Sequence, residues 1–239
     1  APAELEGRFQ RATEGVSIAF QPIVSYVEHR VYAYEAVVRT PESSLPSASA
    51  LLDAAHRLGK VAGLARTLRW RAARAAPPQG ARLFVNLRAE DFADDDLYSP
   101  GSALAHFAER VVLEVSERVA LDAIGEFASR LASLRRLGFQ IAVDDLGAGY
   151  AGLSALARLV PDVAKIDSSL LRNIDNEPRK RATVARLHDM CHDLGIAVVA
   201  KGIETAAECQ TVLGLGCDKL QGSFFAKPAA DFVQVSWNT

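Results

Sequence analysis

Residues 17–39 read SIAFQPIVSYVEHRVYAYEAVVR. Two apolar, β-branched runs lie within this stretch, at 17–24 and 31–39, each with the length and composition of a strand. Only residues 25–30 separate them. A parallel crossover takes roughly a dozen residues, so the two runs are expected to pair as an antiparallel hairpin. The strand-like runs that follow obey a different rule. They fall at 82–87, 111–116, 139–144, 162–166, 196–200 and 218–221, mostly with helical patterns between them. The clearest helical pattern is 120–137, where Ile124, Phe127, Leu131, Leu134 and Leu137 recur at spacings of three and four before Gly138. Residues 50–76 and 179–194 also read as helical, and 40–49 and 75–80 as loops. Strand–helix alternation implies a parallel sheet. Eight strands in 239 residues imply closure into an α/β barrel, a (β/α)8 TIM-like barrel with one antiparallel strand, the first.

Composition narrows the function classes. With 27 basic and 29 acidic residues, the chain offers no general attraction for a nucleic acid polymer. No apolar run approaches the ~20 residues of a membrane span, and the polar start, 1–11, is not a signal peptide. Three cysteines, Cys191, Cys209 and Cys217, with no CxxC, argue against a disulfide framework or a zinc ribbon and lead us to expect a reducing, cytoplasmic setting. No initiator Met is present, so 1–239 is expected to be one barrel domain excised from a longer protein.

Active sites of such barrels lie at the C-terminal strand ends. Glu35, Asn86, Glu114, Asp144, Asp145, Lys165, Lys201 and Gln221 all fall in or at the ends of the strand-like runs. Each has an ordinary explanation alone: a strand glutamate on a solvated face, an Asp–Asp pair capping the next helix, a snorkelling lysine. Together they are harder to dismiss, because buried charge is costly unless it is paired or metal-bound. Four carboxylates and an asparagine converging there make an oxygen-rich pocket suited to Mg²⁺ or Mn²⁺, and a lysine among them can orient water or bind phosphate.

Two patterns compete with this reading. Residues 147–152, GAGYAG, satisfy GxGxxG after a strand. Asp144 and Asp145 would set two negative charges where a pyrophosphate should go, which disfavours a dinucleotide fold. His188 and His192 stand four apart, a spacing that can bind zinc. They lack the glutamate of HExxH and lie on an amphipathic pattern, so a solvated helix face is the better account.

These residues, in this order, resemble the EAL-domain family of cyclic-di-GMP phosphodiesterases over nearly the whole chain. The matching segments are FQPI at 20–23, YEAVVR at 34–39, VNL at 85–87, LEVSE at 113–117, VDDLGAGY at 143–150, PDVAKID at 161–167, VAKGIET at 199–205, LQG at 220–222 and AKP at 226–228. The resemblance implies one divalent ion held by Glu35, Asn86, Glu114 and Asp144, with Asp144 bridging to a second ion also held by Asp145. It implies that Lys165 positions the attacking water and that Glu117 braces the Asp–Asp–Leu–Gly loop. Gln21, Arg39, Asp162 and Gln221 would hold the dinucleotide, and a homodimer and an upstream sensor or signalling domain are expected.

The sequence departs from the family pattern mildly at Val37, Leu146 and Ala148, and seriously at Lys201. There the family has a glutamate that ligates the second ion. A protonated lysine has no lone pair and repels a dication. With six lysines against 21 arginines in the chain, a lysine is an uncommon choice of cation here. The expectation is a cyclic-di-GMP receptor with impaired hydrolysis and one Mg²⁺ or Mn²⁺ site, the second doubtful. The alternatives are a working phosphodiesterase that tolerates Lys201, either with one metal or with Glu204 substituting for the missing ligand, and a protein-interaction scaffold.

Overall fold

The computed structural model describes residues 2–117, 119, 121, 124–149, 152–235 and 237. A helix, α1 (Pro2–Gly15), precedes the hairpin of β1 (Ser17–Ser25) and β2 (Arg30–Arg39). Then follow α2 (Ala48–Leu58), α3 (Val61–Ala73), β3 (Arg82–Leu87), three short 3₁₀ turns, and β4 (Val111–Ser116). The chain continues through α4 (Phe127–Arg136), β5 (Gln140–Leu146), α5 (Gly152–Leu159), β6 (Val163–Ile166), α6 (Ser168–Leu171), α7 (Pro178–Asp193), β7 (Ala197–Lys201), α8 (Ala206–Gly214) and β8 (Lys219–Gln221). The eight strands close into a barrel in chain order. β1 is antiparallel to both β2 and β8, and every other pairing is parallel. The hairpin argument therefore holds: the turn is only Tyr26 to His29.

Strand periodicity builds the interior. Ile23, Ala33, Phe84, Val112, Ala142, Val163 and Val199 belong to one buried cluster that plugs the barrel. Their strand neighbours, such as Val111, Leu113 and Val115, belong instead to the larger core, which also takes in α4, α5, α7 and α8. Burial on both faces is why these strands read as continuous apolar runs. A separate cluster, with Phe9, Val16, Leu51 and Leu64, packs α1 against α2 and α3.

Two helical readings need correction. The pattern at 50–76 is two helices, because Gly59 adopts a left-handed φ of 66° and its N–H bonds back to Ala55 and His56. The pattern at 120–137 becomes a regular helix only at Phe127, since Glu126 sits at a left-handed φ of 52°. Ala120, Asp122 and Ala123 lie outside the described residues. The three cysteines are free and buried. Burial pushes their thiols up, to about 11 for Cys191 and Cys209 and about 12 for Cys217. Among the described residues no helix is long and apolar enough to cross a membrane.

Candidate ligand and metal site at the barrel mouth

A two-residue step along each strand leads from the apolar plug to the site. Glu35 follows Ala33, Asn86 follows Phe84, Glu114 follows Val112, and Asp144 follows Ala142. Lys165 follows Val163, Lys201 follows Val199, and Gln21 stands two before Ile23 on the reversed strand. Side chains two apart share a face of a strand. Register then sets them side by side: Gln21 is opposite Glu35, Asn86 opposite Glu114, and Lys201 opposite Gln221.

Lys165 is the hub. It is fully buried, and its Nζ donates to Glu35 Oε2 at 2.7 Å and to Glu114 Oε1 at 2.5 Å, with the Phe84 ring centroid 5.6 Å away. Burial opposes its charge, but Glu114, Glu35 and Asp144 outweigh burial and hold the ammonium above its ordinary range. The two glutamates split. Burial, reinforced by Glu35, holds Glu114 well above the carboxylate range, with Lys165 only a partial offset. Glu35 is also desolvated, yet Lys165 and its hydrogen bonds bring it below its ordinary value. Gln221 Nε2 donates to Glu35 Oε2 at 2.7 Å and to Gln21 Oε1 at 3.2 Å, and Gln21 Nε2 donates to the carbonyl of Ala226.

The second half of the mouth belongs to Lys201. Its Nζ donates to Asp144 Oδ1 at 2.8 Å and to Asp145 Oδ1. Consecutive strand residues ordinarily point to opposite faces. Here the β5–β6 register shifts between Val143 and Leu146, and Asp145 takes a left-handed φ of 59°, so both carboxylates reach one ammonium. Ser116 Oγ also donates to Asp145, at 3.2 Å. Burial opposes the charge on Lys201, but Asp144 and the bonds to both aspartates hold it above its ordinary value.

Glu117 lies against the aspartate loop. Gly147 N–H donates to Glu117 Oε2 at 3.1 Å, and Glu117 N–H donates to the Asp144 carbonyl. A Cβ at Gly149 or Gly152 would stand 2.9 or 2.6 Å from the Glu117 carboxylate. Two of the GxGxxG glycines thus make room for a carboxylate of this chain. Tyr150 and Ala151 lie outside the described residues. His188 and His192 stack 6.3 Å apart on α7.

Arg39 shares the Glu35 face four residues further on and is exposed, its Nη1 donating to the Val38 carbonyl. Two predicted residues are not brought to the mouth. Asp162 precedes β6 at the opposite end of the barrel, where its carboxylate accepts from Ile141 N–H at 2.8 Å and its carbonyl from Ala197 N–H. It ties strand beginnings together. Glu204 is exposed and paired with Arg172 at 2.6 Å, because the capping box of Thr205 and Glu208 turns the chain into α8. The sequence reading also missed Arg69, buried against Asp91 and Asp94 behind the mouth. The acidic run at 91–96 was the available signal.

The donor chemistry suits one divalent ion. Glu35, Asn86, Glu114 and Asp144 supply hard oxygens, and Glu114 Oε2 is buried with no partner among the described residues. Lys165 stands among these oxygens, and no three acidic, His or Cys side chains among the described residues already enclose an ion position. Beside Asp144 and Asp145, where a second ion would be expected, lies the Lys201 ammonium.

The EAL domain family model matches residues 6–228. The chain belongs to the EAL domain family. It is 30% identical over 226 residues to the blue light- and temperature-regulated antirepressor BluF of Escherichia coli, covering 92% of this chain and 56% of that protein. The Klebsiella pneumoniae BlrP1 calcium/cy-diGMP complex superposes with a TM-score of 0.82 at 30% identity, covering 95% of this chain and 59% of that one. Manganese/cy-diGMP complexes of BlrP1 also match, with TM-scores of 0.76, 30% identity, and coverage of 90% and 56%. The PaMucR phosphodiesterase, in a c-di-GMP complex, gives 0.82 at 26% identity, covering 95% and 97%. The EAL chain spans between about a quarter and just over half of the first curated relatives it matches.

Proposed function

We propose that this EAL barrel is a cyclic-di-GMP receptor whose hydrolytic activity is weak or absent. The observation that carries the reading is the Lys201 ammonium bonded to both Asp144 and Asp145. Gln21, Glu35, Gln221 and the exposed Arg39 supply polar contacts for a dinucleotide, and the complexes of BlrP1 and PaMucR support that ligand class. One Mg²⁺ or Mn²⁺ would be held by Glu35, Asn86, Glu114 and Asp144. Bound there, it would neutralise phosphate charge and activate a water. Lys165 restrains the two glutamates, Glu117 fixes the aspartate loop, and Lys201 draws in phosphate without ligating a second ion. The greater length of the curated relatives is in keeping with a barrel regulated beside other domains, and a homodimer remains part of the proposal.

A second reading, an active phosphodiesterase, has one observation in its favour: every residue of the first ion site and Lys165 are present. The antirepressor name of BluF supports a third, a protein-interaction scaffold. Calorimetry with cyclic-di-GMP in chelator and then in Mn²⁺, followed by chromatography of the products, separates the three. Binding without conversion supports the receptor. Turnover to the linear dinucleotide supports the enzyme. No binding in either condition leaves the scaffold.

A further inference from the structure

A cavity of about 980 Å³ opens between the C-terminal half of α3 and residues 96–107, and no residue of the barrel mouth lines it. Helix α3 presents Arg66, Arg69, Trp70 and Arg71 to it, with Arg74 just beyond the helix end. The four guanidiniums are not equivalent. Arg66 and Arg69 are neutralised by Asp94 and Asp91. Arg71 and Arg74 pair with no carboxylate among the described residues. Arg71 is held in place by one bond, from Nη2 to the Glu14 carbonyl at 2.9 Å, while its buried Nε has no partner among the described residues. Ser102, only 8% exposed, is also in the lining, and its buried Oγ likewise has no partner among the described residues. Trp70 is 52% exposed, with the Arg74 guanidinium 4.9 Å from its ring centroid.

Two guanidiniums with no carboxylate partner among the described residues in one concavity call for an anionic, acceptor-rich ligand. Asp96 on the wall and the carbonyl end of α3 oppose an anion, so the guanidiniums have to carry it. The half-exposed indole adds a stacking plane, and the volume is on the scale of small-ligand sites. We propose that this cavity binds a nucleoside phosphate, its phosphate held by Arg71 and Arg74 and its base stacked at Trp70. An extended peptide is less favoured, since no free strand edge lines the cavity.

The test uses the whole chain carrying Trp237→Phe, which leaves Trp70 as its one tryptophan. ATP, GTP and pyrophosphate are titrated by calorimetry, with Trp70 emission as the second readout and cyclic-di-GMP present in excess to fill the mouth. At least one nucleotide should bind with a Kd at or below about 1 mM and change Trp70 emission saturably. Arg71→Ala with Arg74→Ala should weaken that binding by roughly tenfold or more, with unchanged circular dichroism. Should the double variant fail to fold, Arg74→Ala alone serves, because it removes no side-chain hydrogen bond among the described residues and should still weaken binding severalfold. No saturable nucleotide binding overturns the proposal. So does pyrophosphate binding as tightly as the nucleotides, or an acidic peptide displacing them, or unchanged affinity in the arginine variants.

Discussion

Replacing Lys201 with glutamate should destabilise the metal-free protein and make its stability strongly dependent on Mn²⁺. The Lys201 ammonium lies 2.8 Å from Asp144 Oδ1 and also bonds Asp145. At an effective dielectric of about 20, unit charges at that separation attract by about 6 kcal/mol. The three side chains are 19%, 11% and 27% exposed, so screening reduces this. Removing one partner of a largely buried pair costs about 3–5 kcal/mol, and a third carboxylate in its place pushes toward the upper end. For a domain of this size that is a Tm lower by roughly 6–20 °C in chelator. Mn²⁺ at about a hundred times its Kd restores about 2.7 kcal/mol, or roughly 5–11 °C, beyond any shift in the unmutated protein. Differential scanning fluorimetry in chelator and in Mn²⁺ reads both effects. On the receptor reading, Lys201→Glu also raises hydrolysis of cyclic-di-GMP in Mn²⁺, tenfold for each 1.36 kcal/mol off the barrier. Equal Mn²⁺ shifts in both proteins, or a metal-free Tm unchanged by the substitution, would refute the electrostatic account. If the unmutated protein hydrolyses at a rate that Lys201→Glu leaves unchanged or lowers, the receptor reading fails.

Arg39→Ala should weaken cyclic-di-GMP binding by roughly 1.5–3 kcal/mol in calorimetry and leave Tm unchanged, because its guanidinium bonds only the Val38 carbonyl among the described residues. Gly152→Ala should cost about 1–3 kcal/mol and speed hydrogen exchange across 147–149, since the new Cβ would stand 2.6 Å from Glu117 Oε2. The Arg66 hydrogen bonds, reinforced by Arg69, lower the Asp94 carboxyl from 3.8 to about 2. A folded pKa below the unfolded one stabilises the fold above the unfolded value, and that stability is lost as pH falls through the folded value. Asp94→Asn should therefore lower stability at neutral pH and flatten its decline between about pH 4 and pH 2 in acid titrations followed by circular dichroism.

The barrel was legible because its strands are buried on both faces and so stand out as apolar runs. Residues 82–87 and 111–116 were delimited as the structure has them. The site was legible for a related reason. In β4 and β6 a fully buried ionisable side chain, Glu114 or Lys165, interrupts an otherwise apolar run, and burial of that kind demands a partner. Local conformation was less legible. The resemblance puts Asp162 among the ligand contacts, yet it precedes β6, and the three residues from it to Lys165 span roughly 10 Å along the strand, enough to reach the other end of so short a β6. Glu204, a candidate substitute ligand in the enzyme alternative, stands next to the capping box of Thr205 and Glu208 and pairs with Arg172. The contact of both Asp144 and Asp145 with one ammonium was not derivable from strand alternation, because it needs the left-handed Asp145.

The charge at the mouth explains how one substitution can separate binding from hydrolysis. Counted as fully ionised, Glu35, Glu114, Asp144 and Asp145 against Lys165 and Lys201 leave two negative charges, which one divalent ion cancels. With a glutamate at position 201, as the family pattern has it, five carboxylates face one ammonium. The four remaining charges then call for two divalent ions. The lysine and one ion are thus electrostatically equivalent to the glutamate and two. On the receptor reading, an incoming phosphodiester dianion meets the same net charge in either case, so long-range attraction for it survives. The second Lewis acid does not survive, because a protonated lysine offers no lone pair to a metal and cannot polarise a water as a dication does. Affinity then depends on total charge while turnover depends on where that charge carries an open coordination position. On the receptor reading, a lysine at position 201 alters the second and spares the first.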